Sequence, residues 1–332
     1  MSGNLDFFEG SEKLLEIWWD SSSQLTGPTT MKDADLRCIT RDKIEKILDL
    51  AGCKILSEIK NEYTTAYILS ESSLFISSNR LILKTCGTTP LLRATIHLMK
   101  VVEEECGMAE VKNVFYSRKS FAQPHLQQSP HQNFQQEVDV LDEYFPGGGA
   151  YTLGQQNSGN CWHLFTIDNY TDGLQIPDQT LEILMNDLNP SILKHYYKGY
   201  YKDAAELTKS VGISDLIPGT TIDDVIFEPC GYSANGILKD SYFTIHVTPQ
   251  MEFSYASFET NVKFRSLKDL IEKVLNIFKP GRFIMTLFGN TIAPCGNSLR
   301  TFEKSFPPYK RKDLHFARFK NYNLTYGHYE HC

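Results

Sequence analysis

The stretch AYILSESSLFIS (66–77) is an apolar strand pattern interrupted by Ser70-Glu71-Ser72-Ser73. By composition alone that interruption is a turn or a bulge. Close by, LKTCGTT places Lys84 and Cys86 at the end of the next strand. Far along the chain, FEPCGYSANG sets Cys230 and Ser233 in a glycine-rich turn, and YFTIHVTP sets His246 in the middle of an apolar strand. A hydroxyl, a thiol and an imidazole are the groups of nucleophilic and acid–base chemistry. A serine or cysteine hydrolase using Ser72 or Cys86 with His246 is one such use. The chain has no GxSxG elbow and no papain-like cysteine segment to support it. Each residue also has a plain role: His246 as a satisfied core histidine, Cys86 as a buried structural thiol. Taken singly, they indicate a soluble α/β enzyme and leave its chemistry open.

These residues must be positioned by elements that periodicity marks out. EGSEKLLEIWWD (9–20) carries Leu14, Leu15, Ile17 and Trp18 at helical spacing and predicts a first helix after Phe8. On that helix Glu9, Glu12 and Glu16 would share one face. Three acids on one stripe are usually a solvated face, but here they lie beside Phe7-Phe8. Residues 20–35 read as a loop, and RDKIEKILDLAGC (41–53) as a helix ending at Gly52. Runs 65–70, 73–77 and 81–85 read as strands, with Ser77-Ser78-Asn79-Arg80 closing a hairpin between the last two. An amphipathic helix follows from about Pro90 to Glu105.

Later, 242–249 and 253–259 read as strands and 266–279 as a helix stopped by Pro280-Gly281. A two-strand unit followed by a helix thus recurs in each half, a weak internal repeat. Further strands are predicted at 161–168 and 282–288, and further helices at 133–145 and 178–188. The segment from Phe121 to Gln136 reads as a mobile loop. Gly147-Gly148-Gly149 lacks the Lys-Ser/Thr of a phosphate loop and reads as a plain turn. Hairpins with helices between them favour antiparallel sheets covered by helices, an α+β fold.

Bulk properties narrow the function classes. The 332 residues suffice for one large domain or two smaller ones. Forty Asp and Glu against 33 Lys and Arg give a formal net charge of −7. A mildly acidic chain argues against nucleic acid as partner. The densest basic stretch, Lys310-Arg311-Lys312, sits beside Asp313. No run is apolar enough to cross a bilayer, and MSGNLDFFEG has no basic segment followed by an apolar run, so the expectation is the cytosol. Eight scattered cysteines without a CxxC pair are expected to be reduced and to hold no zinc. His328 and His331, beside Cys332, read as a disordered tail.

Taken together, LSESS, KTCGTT, YSRK, PDQTLEIL, PCGYSANG, TIHVTP, FSYASFETN and FKPG resemble the eukaryotic, animal-type S-adenosylmethionine decarboxylases. The similarity runs in the family's order from FFEG near residue 7 to FKNYN near residue 319, and is looser after Asn290. Decarboxylating an α-amino acid leaves a carbanion that needs an electron sink, which no ordinary side chain offers. The resemblance implies a pyruvoyl group made from Ser72, whose ketone takes the substrate amine as a Schiff base. It implies autocatalytic cleavage between Glu71 and Ser72, giving a small chain, 1–71, and a large chain, 72–332, of one decarboxylase domain.

The resemblance also implies the roles. The Ser72 hydroxyl attacks the Glu71 carbonyl, His246 is the processing base, and Ser233 binds the processing intermediate. Cys86 reprotonates the product carbanion, and Glu12 belongs to the catalytic set. Phe8 and Phe227 sandwich the adenine, with Glu9, Leu69 and the Glu71 backbone among the substrate contacts. One departure stands out: Gln250 occupies the position where the family has a glutamate for the ribose hydroxyls. Gln can bond hydroxyls but lacks the charge that strengthens such bonds.

A second set, Glu16, Asp178, Thr180, Glu182 and Glu259 with Lys84, Phe115, Phe288 and Tyr322, matches the site that binds putrescine as an activator in animal-type members. Clustered buried carboxylates repel one another unless a cation joins them. Read singly, Asp178 and Glu182 would be helix-start acids. The implied fold is a four-layer αββα sandwich of two antiparallel sheets with helices outside, and the implied assembly a homodimer of processed halves. The implied product is decarboxylated S-adenosylmethionine, the aminopropyl donor for spermidine and spermine. The alternative is an inactive paralogue that activates a decarboxylase partner, for which Gln250 is the only foothold.

Overall fold

The fold is taken from a computed structural model, which describes residues 7–20, 34–156, 159–168, 176–264, 266–295, 302 and 306–332. Most of the loop expected at 20–35 lies outside the described residues. The chain forms two compact units: Ser11–Thr152 with Cys161–Thr171, and Met1–Gly10 with Leu153–Asn160 and Asp172–Cys332. We call them the first and second units.

The first unit carries a sheet of β1 (Lys13–Trp19), β2 (Ile55–Lys60), β3 (Thr64–Leu69), β4 (Ser72–Ser77), β5 (Arg80–Thr85), β6 (Val111–Lys119), β7 (Gly149–Leu153) and β8 (Trp162–Asp168). Their spatial order is β2-β3-β4-β5-β1-β6-β8-β7. Three helices pack on one face: α1 (Arg41–Leu50), α2 (Thr95–Cys106) and α3 (Phe134–Tyr144). Ile44, Ile47 and Leu48 of α1 lie one turn apart and bury against Leu15, Ile17, Leu81 and Leu83 of the sheet. The α3 start is set by Asn133, whose side chain accepts the Gln136 N–H.

The second unit carries β9 (Gln179–Leu188), β10 (Thr221–Ile226), β11 (Tyr232–Leu238), β12 (Ser241–Thr248), β13 (Tyr255–Thr260), β14 (Pro280–Asn290), β15 (Tyr309–Arg318) and β16 (Tyr322–His331). Its helices are α4 (Pro190–Leu193), α5 (Ala204–Ser210) and α6 (Lys268–Phe278). Leu270, Ile271, Val274, Leu275 and Phe278 of α6 form an apolar stripe in the core with Ile183, Ile245 and Phe258. The strand order is β10-β11-β12-β13-β9-β14-β16-β15. Counted from the first strand of each unit, both sheets have the same permutation. The internal repeat is therefore a repeat of topology, and the α+β class of two antiparallel sheets with helices stands.

Two predicted helices are strands. The segment after Phe8 is β1, and 178–188 is β9. They are the same strand of the repeat, each hydrogen-bonded on both sides: β1 to β5 and β6, β9 to β13 and β14. Leu15-Glu16-Ile17 and Leu181-Glu182-Ile183 occupy matching positions. The two apolar residues of each triplet face the helices, and the glutamate faces the other way. Both faces of each strand are buried, so apolar residues fall on consecutive positions and imitate helical spacing.

Other differences are smaller. Strand β2, half exposed in alternation, was not predicted, nor were β6, β7, β10, β11, β15 and β16; Ser233, expected in a turn, lies on β11. Pro280-Gly281 opens β14 as well as ending α6, whose last turn closes on Lys279 at φ 43°. The segment from Phe121 to Gln136 contains a short 3-10 turn and the start of α3, and its Gln127 and His131 are buried, so it is pinned rather than loose. His328 and His331 lie on β16, paired to β14 and β15, and are not a tail. All eight cysteines are free thiols. Among the described residues no helix is long and apolar enough to cross a membrane.

Candidate active site

In the first unit the two-residue turn Ser70-Glu71 joins β3 to β4, with Leu69 paired to Ser72 across it. Ser72 is buried and has φ 127°, a conformation that costs a non-glycine residue about 1–3 kcal/mol. The Ser72 hydroxyl donates to Glu12 Oε1 at 2.8 Å. Glu12 Oε2 lies 3.6 Å from the ammonium of Lys84, and both side chains are buried. The Glu71 carbonyl accepts the Cys86 N–H at 2.9 Å. A nucleophile on a carboxylate and an N–H on the adjoining carbonyl thus flank one peptide bond.

Cys86 follows β5 and begins the turn of KTCGTT. Its Sγ lies 3.9 Å from Glu71 Oε2. Burial, then the carboxylates of Glu71 and Glu12, push its thiol well above the ordinary cysteine range, so it holds its proton. Burial likewise raises the Glu71 carboxyl. The turn needs glycine at 87, where φ is 63°. Three side chains fix it: Lys13 Nζ donates to the Gly87 carbonyl at 3.0 Å, Gln127 Nε2 donates to the same oxygen at 3.2 Å, and Thr89 Oγ1 donates to the Cys86 carbonyl at 2.7 Å.

Lys13, fully buried, was not among the predicted site residues. Read as helix it has no distinctive place, whereas the strand alternation with Leu15 and Ile17 puts it on the helix-facing side. Behind it lies a polar network. Glu137 receives Arg118 Nε at 2.7 Å and Tyr116 Oη at 2.6 Å, with His131 Nδ1 at 2.7 Å. His131 Nε2 accepts the Leu92 N–H at 3.3 Å, which requires the neutral ring with its proton on Nδ1.

In the second unit Ser233 and His246 face each other across β11 and β12. Ser233 Oγ lies 2.7 Å from His246 Nδ1, and Thr244 Oγ1 lies 2.9 Å from Nε2. Thr244 was also missed; two residues before His246 on the same strand, it shares its face. Gly231, at φ 121°, sends the chain from Phe227 into β11, and its carbonyl accepts the Phe227 N–H at 2.9 Å. Phe8 and Phe227 are half-buried, and Glu9 is buried. The glycine of FFEG is required by close approach: a Cβ on Gly10 would stand 2.7 Å from Tyr255 Cβ. Gln250 is buried just after β12, before the 3-10 turn Met251–Phe253.

The second predicted set is divided between the units. In the first, Glu16 pairs with Arg80 at 2.8 Å, Arg80 stacks over the Trp18 ring, and Phe115 lies opposite Glu16 on β6. Lys84 pairs with Glu12, as above. In the second unit, Tyr322 Oη donates to Asp178 at 3.3 Å and stacks on Phe288 with ring centres 4.8 Å apart. Phe288 is the cross-strand partner of Thr180. Glu182 and Glu259 are directly opposed on β9 and β13, both buried, and Glu259 accepts the Tyr242 hydroxyl at 2.6 Å. Opposed like charges destabilise a sheet unless something joins them. None of these acids starts a helix. Among the described residues no group of three His, Cys, Asp or Glu could hold a metal ion.

Comparisons with known proteins bear on the whole chain. The sequence profile of the adenosylmethionine decarboxylase family matches residues 5–330. An S-adenosylmethionine decarboxylase proenzyme of Xenopus laevis is 45% identical over 324 residues, covering 96% of this chain and 94% of that one. One from Drosophila melanogaster is 43% identical, covering 98% of this chain and 96% of the other. Among solved structures, a Trypanosoma brucei AdoMetDC-delta26 monomer aligns with TM-score 0.61 and 25% identity, over 78% of this chain and 99% of that one. With the strand-for-strand repeat and the residues around the Glu71–Ser72 bond, these likenesses make the chain a member of the adenosylmethionine decarboxylase family.

Proposed function

We propose that the protein decarboxylates S-adenosylmethionine, using a pyruvoyl group that it makes by cutting itself between Glu71 and Ser72. One observation carries the reading: the Glu71–Ser72 peptide has a carboxylate on its hydroxyl and an N–H on its carbonyl. Glu12 takes the Ser72 proton as Oγ adds to the Glu71 carbonyl carbon. The Cys86 N–H bears the developing oxyanion, and Lys84 balances Glu12. Breaking the C–N bond, with the proton going to the Ser72 nitrogen, leaves an ester and relieves the φ of 127°.

His246, oriented by Thr244, is the base for the Ser72 α-proton, and Ser233 is the donor to the processing intermediate. Cleavage of the Cβ–O bond frees the Glu71 carboxylate and the small chain. The dehydroalanine left at position 72 hydrolyses with loss of ammonia. An uncharged keto group fits this buried position, where a new charge would not. When in place it supplies the electron sink for loss of the substrate carboxylate. Cys86, holding its proton, is suited to return one to the product carbon. Phe8 and Phe227 offer flat faces to a purine and its neighbouring sulfonium.

The reading extends to putrescine as an activator, because Glu182 opposite Glu259, with Asp178 nearby in sequence, is a negative cluster suited to a diamine. It includes the cytosol as compartment, pairing of processed halves, and a product used as aminopropyl donor. A denaturing gel tests it. Purified protein gives two bands, the smaller ending at Glu71, and Ser72→Ala gives one band and no activity. Mass spectrometry finding an unbroken chain with an ordinary serine at position 72 would overturn it.

A further inference from the structure

We propose that Cys38 and Cys106 form a disulfide that tethers the small chain to the large one. This rests on the cleavage reading above, because the Glu71–Ser72 bond lies between the two cysteines. Cys38 closes the 3-10 turn Leu36–Cys38, and Cys106 is the last residue of α2. Their sulfurs are 3.6 Å apart, and Cys38 Sγ also lies 3.7 Å from the Glu105 carbonyl. A disulfide needs about 2.05 Å, so the sulfurs must close by about 1.6 Å. The surroundings are fixed. Gly107 caps α2 at φ 67°, Lys43 of α1 pairs with Glu105, and Asp35 holds Arg37 beside the 3-10 turn.

The two thiols differ in a way that gives them an order of reaction. Cys38 is exposed, whereas Cys106 is 3% exposed. A peroxide reaches Cys38 first. Its thiolate attacks one peroxide oxygen, the O–O bond breaks, and Cys38 becomes a sulfenic acid with release of water from hydrogen peroxide. The Cys106 thiol, which burial keeps protonated, then attacks the Cys38 sulfur and gives its proton to the leaving hydroxide. The S–S bond forms, the S–O bond breaks, and a second water leaves. Two thiols have given up two electrons and the peroxide has taken them.

The tether has something to hold. The small chain contributes β1, β2 and β3 to the first sheet, and the large chain contributes β4 to β8. Strand β1 lies between β5 and β6, held by backbone hydrogen bonds, apolar packing and ion pairs such as Glu16–Arg80, none of them covalent. A covalent link from Cys38 to α2 prevents the small chain from leaving when that sheet opens.

The experiment uses the purified, processed protein treated with hydrogen peroxide and then N-ethylmaleimide. Without reductant, one band at the mass of the unbroken chain is expected on a denaturing gel. With dithiothreitol, two bands are expected. Cys38→Ser gives two bands in both lanes. Trypsin then yields CITR (38–41) linked to VVEEECGMAEVK (101–112). Two bands from the oxidised wild type without reductant overturn the tether, and so does a single band that persists in Cys38→Ser. One band in the reduced lane overturns the cleavage reading instead. The linked peptide then decides, its presence supporting the pair and its absence overturning it.

Discussion

At the scale of single residues, the proposed processing divides its work between the acid and the amide around Ser72. Glu12→Gln keeps an acceptor for the Ser72 hydroxyl but removes the group able to take its proton. Cleavage is expected to slow by about 10²-fold or more, read as the rate of appearance of the two chains on gels. Gln250 stands where the resemblance implies a glutamate. Gln250→Glu restores a charged acceptor for ribose hydroxyls, and KM is expected to fall by roughly threefold to tenfold with kcat little changed. Steady-state assays of processed enzyme decide it: an unchanged KM removes Gln250 from substrate binding. Lys13 acts through the Gly87 turn and is a positioning residue. Lys13→Met leaves the Gly87 carbonyl with Gln127 alone and is expected to cost about 1–3 kcal/mol in urea unfolding.

At the scale of elements, strands β1 and β9 carry the buried Glu16 and Glu182. Their acidic and apolar residues suited a helix in the sequence pattern, and only pairing on both sides makes them strands. What was legible there was the residue set itself, because Glu12 and Glu16 share a face at even spacing in a strand as they do at four-residue spacing in a helix. Lys13 was not legible, since its side depends on the strand assignment. The loop before α3 delivers His131 and Gln127 into the core, which polar composition concealed. Burial lowers the His131 imidazole to about 4 from its ordinary 6.5. The unfolded chain therefore binds the extra proton between those values, and stability rises with pH across that window. It is fully present above about pH 6.5 and declines toward pH 4, by at most about 1.4 kcal/mol per pH unit from this group. Urea midpoints measured from pH 7 to pH 4.5 are expected to show the decline, with a shallower slope in His131→Gln.

At the scale of the whole molecule, the same strand permutation occurs twice, and the matching strands bear Glu16 and Glu182. The residues that the resemblance implies for a diamine include members of each copy. Putrescine is expected to accelerate processing and turnover, and Asp178→Asn to remove the acceleration while leaving a basal rate. Equal rates with and without putrescine in the wild type would remove the second site from the reading. Family membership was legible from the sequence because motifs such as KTCGTT and PCGYSANG are local: each joins a strand to a turn glycine that the backbone demands, Gly87 after β5 and Gly231 before β11.

The sequence by itself determined the family, the hairpin that carries Ser72 and the helices with a single apolar stripe. These depend on neighbours a few positions away, so local periodicity and turn residues specify them. The tertiary structure alone decided that β1 and β9 are strands, that the Cys86 N–H meets the Glu71 carbonyl, and that Cys38 meets Cys106. Those contacts join residues far apart in the chain. They are set by sheet register and packing, whose energy comes from burial on both faces and leaves no period in the sequence to read.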